Sequence, residues 1–255
     1  MEPSDTPAAP REDTAPSAKS RFARIGIVIG VLAAALVAFF VLGLDAFLTI
    51  EALAENRAWL LEQVGDQRWL VALIFVAIYA AAVAVSVPGA AILTIAGGFL
   101  FGVVQGTIFA VVGATLGAIG LFLFVRIGLG DSLRSRAGSG IDKLRQGFQE
   151  NALGYLLFLR LLPIVPFWLV NLAAALLRVP LRTFAIATAV GIIPGSLVYT
   201  SFGNGIGALI EAGQDVNLES ILTAEIVLPL VGLALLALAP IVYKKIRGQR
   251  AKGAA

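Results

Sequence analysis

The chain has 255 residues, of which 59% are hydrophobic and 14% charged, with a net charge of +3, a pI near 9.4 and a mean hydropathy of +0.92. A soluble domain carries about one quarter charged residues, so this chain cannot cover its surface with charge and must face lipid. It contains no histidine and no cysteine, which excludes disulfides, thiol nucleophiles, imidazole or thiolate metal sites, serine triads and histidine-ligated haem. With the commonest general base missing, an enzyme is not expected, and neither a metal nor a cofactor. The basic residues sit in short loops between apolar runs, as the positive-inside rule predicts, so nucleic acid is not an expected partner.

Residues 1–20 are rich in Pro, Ala, Ser, Thr and charge without apolar periodicity, which reads as a disordered tail. Lys19, Arg21 and Arg24 precede an uncharged run from Ile25 to Leu44. As a helix this run is roughly 30 Å long, the thickness of a bilayer core. No small-x-small cleavage site follows it, so an uncleaved first span is expected rather than a signal peptide. Residues 45–68 carry a net −3 and read as an external segment with a short interfacial helix, where Trp59 and Trp69 suit a headgroup belt. Residues 21–68 thus form a unit of first span and external segment.

From Trp69 to Val125 no residue is charged, and Pro88-Gly89 interrupts the run. The loop 126–150 is basic, with a net +2. Residues 151–177 are apolar apart from Asn151, Arg160 and Asn171, with Pro163 and Pro166 in the middle, and Arg178 and Arg182 close the unit. Thr183 to Ile210 is again uncharged. Glu211, Asp215 and Glu219 follow, then an apolar run from Ile221 to Tyr243 that contains Glu225, and a basic end.

Charge parity decides which runs cross. With the N-terminal basic cluster in the cytoplasm, the acidic 45–68 lies outside and the basic 126–150 inside. Residues 69–125 must then cross an odd number of times, yet as one helix they are about 85 Å long. A hairpin that enters from outside, turns at Pro88-Gly89 and returns, followed by a span over 103–126, satisfies both conditions. By the same test 151–178 enters and leaves on the inner side, because its halves around Pro163 and Pro166 are about ten residues each, too short to cross. Spans 183–203 and 221–243 complete the count. The expected fold is an all-α integral membrane protein: an inverted repeat of re-entrant hairpin plus transmembrane helix, with about four full spans, in which the two hairpin tips meet at mid-membrane. The expected location is a bacterial-type plasma membrane, with both termini cytoplasmic.

Arg160 is the only charge well inside an apolar segment, about 13 Å deep counting helical rise from Asn151. A buried Arg costs at least about 2.5–3.5 kcal/mol on insertion scales, so a partner or water must accompany it. One role is to bind an anion, such as a lipid phosphate or a carboxylate. The other is to cap carbonyls freed at a proline-broken hairpin tip. Asn171 can satisfy such groups too. Gly98, Gly102 and Gly106, and likewise Gly113 and Gly117, recur every four residues and read as close-packing helix faces. No lysine follows them as in a phosphate-binding loop, and Gly195-Ser196 has no base to activate it.

Val87-Pro88, Ala96-Gly97-Gly98-Phe99-Leu100-Phe101-Gly102, Gly113 to Gly117 and Phe124-Val125-Arg126 resemble the first half of the DedA superfamily, also called the VTT or SNARE-associated Golgi protein domain. Phe158-Leu159-Arg160-Leu161-Leu162-Pro163-Ile164-Val165-Pro166, then Asn171, Gly191, Pro194, Tyr199 and Gly203, resemble the second half. The resemblance covers roughly 69–210, flanked by a last unit of span and basic tail over 211–255, and is closest to the Tvp-type branch. It implies paired re-entrant hairpins and a role in moving lipids or lipid carriers across membranes. Arg160 falls on the first arginine of the family and Pro166 on the second. Pro88 to Gly102 contains none of the acidic residues of the proton-linked members, which argues against proton coupling through them. The sequence therefore points to a translocator of a lipid or an anionic small molecule, with membrane lipids as partners and a homo-oligomer as an open option. The alternative is a non-transporting membrane organiser or assembly factor.

Overall fold

A computed structural model of the chain describes residues 18–43, 46, 49–134, 151–161, 165–212 and 231. The described residues form helices: α1 (Ala18–Val41), α2 (Ile50–Glu55), α3 (Arg57–Asp66), α4 (Arg68–Val85), α5 (Ala90–Arg134), α6 (Ala152–Leu161), α7 (Phe167–Leu176) and α8 (Leu181–Glu211). By length and composition α4, the Ala90–Ile127 part of α5 and α8 could each cross a membrane. Large apolar side chains on them, such as Leu73, Ile78, Val104, Ile108, Ile186 and Val190, point outward and are exposed. This is what lipid as solvent requires. The chain is a multi-pass, all-helical membrane protein. The segment 45–68 holds two short helices, α2 and α3, rather than one; Trp59 on α3 and Trp69 at the start of α4 are both exposed. The expected last span, 221–243, lies outside the described residues apart from the helical Val231.

The stretch 68–134 folds up, down and up again. α4 ends with Ser86 in the left-handed region (φ 63°), whose N–H donates to the Val83 carbonyl at 3.0 Å, while the Val87 N–H donates to the Ala82 carbonyl at 2.9 Å. That pair of bonds closes a Schellman turn, and Pro88 then forbids further helix. The chain comes back beside α4: the Tyr79 hydroxyl lies 2.8 Å from that of Thr94, and the Phe75 ring packs edge-on against Phe101. The returning limb, 90–101, is roughly 18 Å long, too short to cross a bilayer core.

It ends at Gly102, where φ is 77° and ψ 176°, and the chain reverses a second time. Gly97 and Gly106 meet across this reversal: a Cβ on Gly106 would fall 2.4 Å from the Gly97 carbonyl oxygen. The second limb of α5 then runs parallel to α4, with Gly113 against Tyr79 and Gly117 against Ala80 and Val83. Arg68, at the start of α4, donates to Gln105 Oε1 near the start of this limb. So α4 and 90–101 enter and leave at one end of the second limb, with the Pro88-Gly89 turn between them, as the sequence suggested. One expectation fails here. Gly102 is not a packing glycine but the turn that ends the returning limb. The loop expected from residue 126 also begins later, since α5 continues as helix to Arg134.

The second half is built on α8, which lies antiparallel to the second limb of α5. Phe122 stacks on Phe184 with centroids 4.6 Å apart, and Thr107 and Thr200 share a 2.8 Å hydrogen bond. α6 and α7 are ten residues each, roughly 15 Å and half a bilayer. α7 closes with a second Schellman turn: Arg178 has φ 56°, the Val179 N–H donates to the Ala174 carbonyl, and Pro180 follows. Arg126 donates to the Val179 carbonyl at 3.1 Å and so ties the second limb of α5 to this turn. α4 packs extensively on α5, and α6 and α7 on α8 and α5. The limbs of the two hairpins therefore lean on the central α5–α8 pair, while the expected meeting of the hairpin tips involves Pro163, which lies outside the described residues.

Candidate functional site

Arg160 sits in the last turn of α6, where its side chain passes between α7 and α8. One guanidinium nitrogen, Nη2, donates to Asn171 Oδ1 at 2.6 Å and to Thr188 Oγ1 at 2.8 Å. Nη1 donates to the Phe167 carbonyl at 3.3 Å. That carbonyl belongs to the first turn of α7, just after Pro166, which is the N-cap residue of α7. The guanidinium carbon lies 4.1 Å from the Phe167 ring centroid and 5.6 Å from that of Phe184. Two aromatic faces thus hold a planar cation, a contact that gains strength where water is excluded.

The backbone makes room for this. A Cβ on Gly191 would fall 2.7 Å from Arg160 Cβ, so only glycine lets α6 come this close to α8. Asn171 is fully buried on α7 and Thr188 almost so on α8. Three helices each contribute one polar group to the same point, and the two expected binding residues, Arg160 and Asn171, are in direct contact.

Among the described residues all acceptors around Arg160 are neutral, and no acidic residue occurs in 67–130 or 151–210. Two buried donors also have no partner among the described residues: Arg160 Nε and Asn171 Nδ2. A buried polar donor without a partner costs about 1–3 kcal/mol, more for a charged group. An uncompensated buried cation is costlier still. The site therefore offers one positive charge and two open N–H groups, which is the complement of an oxyanion. Arg160 also donates to one backbone carbonyl, but that of Phe167 belongs to the first turn of α7, where the unsatisfied backbone groups are N–H rather than C=O. Among the described residues, no group of acidic side chains could hold a metal ion.

The other residues singled out lie elsewhere. Pro88, which is exposed, and Gly89, which has φ 106°, form the turn between α4 and α5. Pro163 lies outside the described residues, so the tip of the second hairpin is described only from Val165 and Pro166 onward. Gly98, Gly106, Gly113 and Gly117 are buried in helix contacts: a Cβ on Gly98 would fall 2.0 Å from the Thr200 carbonyl oxygen, and one on Gly117 2.3 Å from that of Ala80. Thr188, Phe167 and Phe184 were not expected at the site. Each is an ordinary residue of an apolar run, and only the packing of α6 between α7 and α8 brings them to Arg160.

Residues 87–205 match the VTT domain. The Transmembrane protein 41 homolog of Dictyostelium discoideum is 38% identical over 104 residues, which cover 41% of this chain and 29% of the relative. The Transmembrane protein 41 homolog of Caenorhabditis elegans is 38% identical over 97 residues, covering 38% of this chain and 37% of the relative. Mouse Transmembrane protein 41B is 33% identical over 97 residues, covering 38% and 31%. The matched part spans about a third of the length of these curated relatives. No solved structure matches the chain. The resemblance read from the two halves of the sequence is borne out at the level of the superfamily, and Arg160, Asn171, Thr188 and Gly191 all lie inside the matched domain.

Proposed function

From a VTT domain in a multi-pass membrane chain, we infer that this protein translocates a lipid or an anionic small molecule across the membrane, and that the anionic group binds between Arg160 and Asn171. The observation that supports the reading most directly is the set of open donors: among the described residues Arg160 Nε and Asn171 Nδ2 are buried without partners, around a cation that meets no acidic side chain. A phosphate or carboxylate would satisfy both donors and the charge at once. Proton coupling through carboxylates of the first hairpin is not part of this proposal, because 67–130 contains none.

The membrane-organiser reading rests on glycine faces free to pack on partners. Gly98, Gly106, Gly113 and Gly117 are instead occupied within the fold, which favours the translocator. The test is reconstitution of purified protein into vesicles that carry a fluorescent anionic lipid or a trapped anion. Movement above empty vesicles is expected, with loss of that movement in Arg160→Ala at equal incorporation. Full movement in the variant would sink the site. No movement by the wild type above empty vesicles would favour the organiser.

A further inference from the structure

A cavity of about 690 Å³ lies between α1 and the first hairpin, and Arg160 is not among the residues that line it. Its walls include Ala38 and Phe39 of α1 and Leu42 just after it, Leu53 of α2, Ile78 and Ala82 of α4, and Leu93 of the returning limb. Every side chain that lines it is Ala, Val, Leu, Ile or Phe. We propose that this cavity holds one acyl chain of a membrane lipid.

Four observations carry the assignment. The space is a groove, open to the surroundings along Leu42 and Ile78, which are 69% and 53% exposed, and its volume falls in the ~300–1,000 Å³ range of small-molecule sites. The walls offer no polar side chain, so water would find no hydrogen-bond partners and an apolar cavity stays dry. A lipid headgroup or a soluble anion is excluded for the same reason. The surroundings supply the remaining candidate: α4 and α5 are membrane-spanning by length and composition, and neighbouring side chains such as Leu73 and Ile74 are exposed and apolar, so hydrocarbon is the medium at this depth. Ala35 and Ala38 on one wall and Ala81, Ala82 and Ala96 on the others leave room among larger apolar side chains such as Phe39, Leu53 and Phe75. The resulting slot is not filled by any described side chain.

The proposal needs only that α1, α4 and α5 lie in the membrane, so it stands or falls apart from the anion site at Arg160. The test uses the full chain in vesicles of phosphatidylcholine bearing a diazirine midway along one acyl chain. After irradiation, adducts are mapped by mass spectrometry. The expected result is several-fold more adducts on 35–42 and 78–85 than at Ile186 and Val190, which are exposed apolar positions of α8. Filling the slot from either wall, with Ala82→Phe or with Ala38→Phe, should lower those adducts several-fold and leave the ones on α8 unchanged. If Ala82→Phe does not fold, Ala38→Phe decides alone. Equal adduct density on slot and α8, or adducts insensitive to the filling variants, overturns the proposal. So does cross-linking of a photoreactive residue at Ala82 to 221–243 or to a second copy of the chain, since either would then be the occupant.

Discussion

Replacing Gly98 by alanine adds one methyl group where α5 crosses α8. Its Cβ would fall 2.0 Å from the Thr200 carbonyl oxygen and 2.5 Å from Thr200 Cα, whereas unstrained heavy atoms meet at about 3.5–4.0 Å. Both obstacles are backbone, so no rotamer change relieves them, and the helices must part by more than about 1 Å. Overpacking of this kind costs roughly 1–3 kcal/mol. The separation also stretches the buried 2.8 Å bond between Thr107 and Thr200, worth about 0.5–1.5 kcal/mol. A loss of about 2–4 kcal/mol is expected, read as a lower midpoint of unfolding in detergent. Gly203→Ala attacks the same crossing from the other helix, 1.9 Å from the Ile95 carbonyl oxygen. The double variant should therefore cost less than the sum of the two, because the first methyl has already opened the crossing. Gly195→Ala is the control: nothing lies within 4 Å of its Cβ, and a helical Gly→Ala change alone stabilises by about 0.5–1 kcal/mol. If Gly98→Ala and Gly195→Ala unfold at the same midpoint, the close crossing is wrong.

Three further outcomes are expected. Asn171→Asp supplies Arg160 with a counterion that no described residue provides, at the position now 2.6 Å away. It should raise the unfolding midpoint and lower anion binding; unchanged binding would contradict the role of open donors. Gly191→Ala pushes on Arg160 Cβ from 2.7 Å and should weaken anion movement with little loss of incorporated protein, which vesicle assays check. Because the chain has no native cysteine, single cysteines at Ser139 and Gln214 can report sidedness. They follow the far ends of the antiparallel α5 and α8 and should react with a membrane-impermeant reagent from opposite faces; same-face labelling would break the topology.

The parts of the fold legible in the sequence were those with one physical meaning. Pro88 lacks an N–H, so a turn was readable there without knowing its neighbours. Arg160 stood out because a lone charge in an apolar run requires an explanation. Gly102 was misread because its spacing from Gly98 and Gly106 has two meanings. Four-residue spacing marks a packing face in a continuous helix, and only the reversal at φ 77° reveals the other use. The end of α5 was misplaced because charge marks where lipid stops, not where hydrogen bonding stops, and the backbone stays helical to Arg134. The ring and hydroxyl partners of Arg160 carry no signal in one dimension. Thr188 is 28 residues away and becomes a ligand only through the turn at Arg178-Val179-Pro180.

The charge of Arg160, which no described acidic side chain neutralises, bears on voltage. Without an anion the site carries one positive charge; with a monovalent anion bound it would carry none. A membrane potential acts on a charge by about 2.3 kcal/mol per 100 mV across the full field. It therefore biases any movement of the empty site and leaves the loaded site alone. Transport through Arg160 would then respond to potential in its return step, and with a divalent headgroup, which leaves the loaded site with one net negative charge, both steps would respond, with opposite sign.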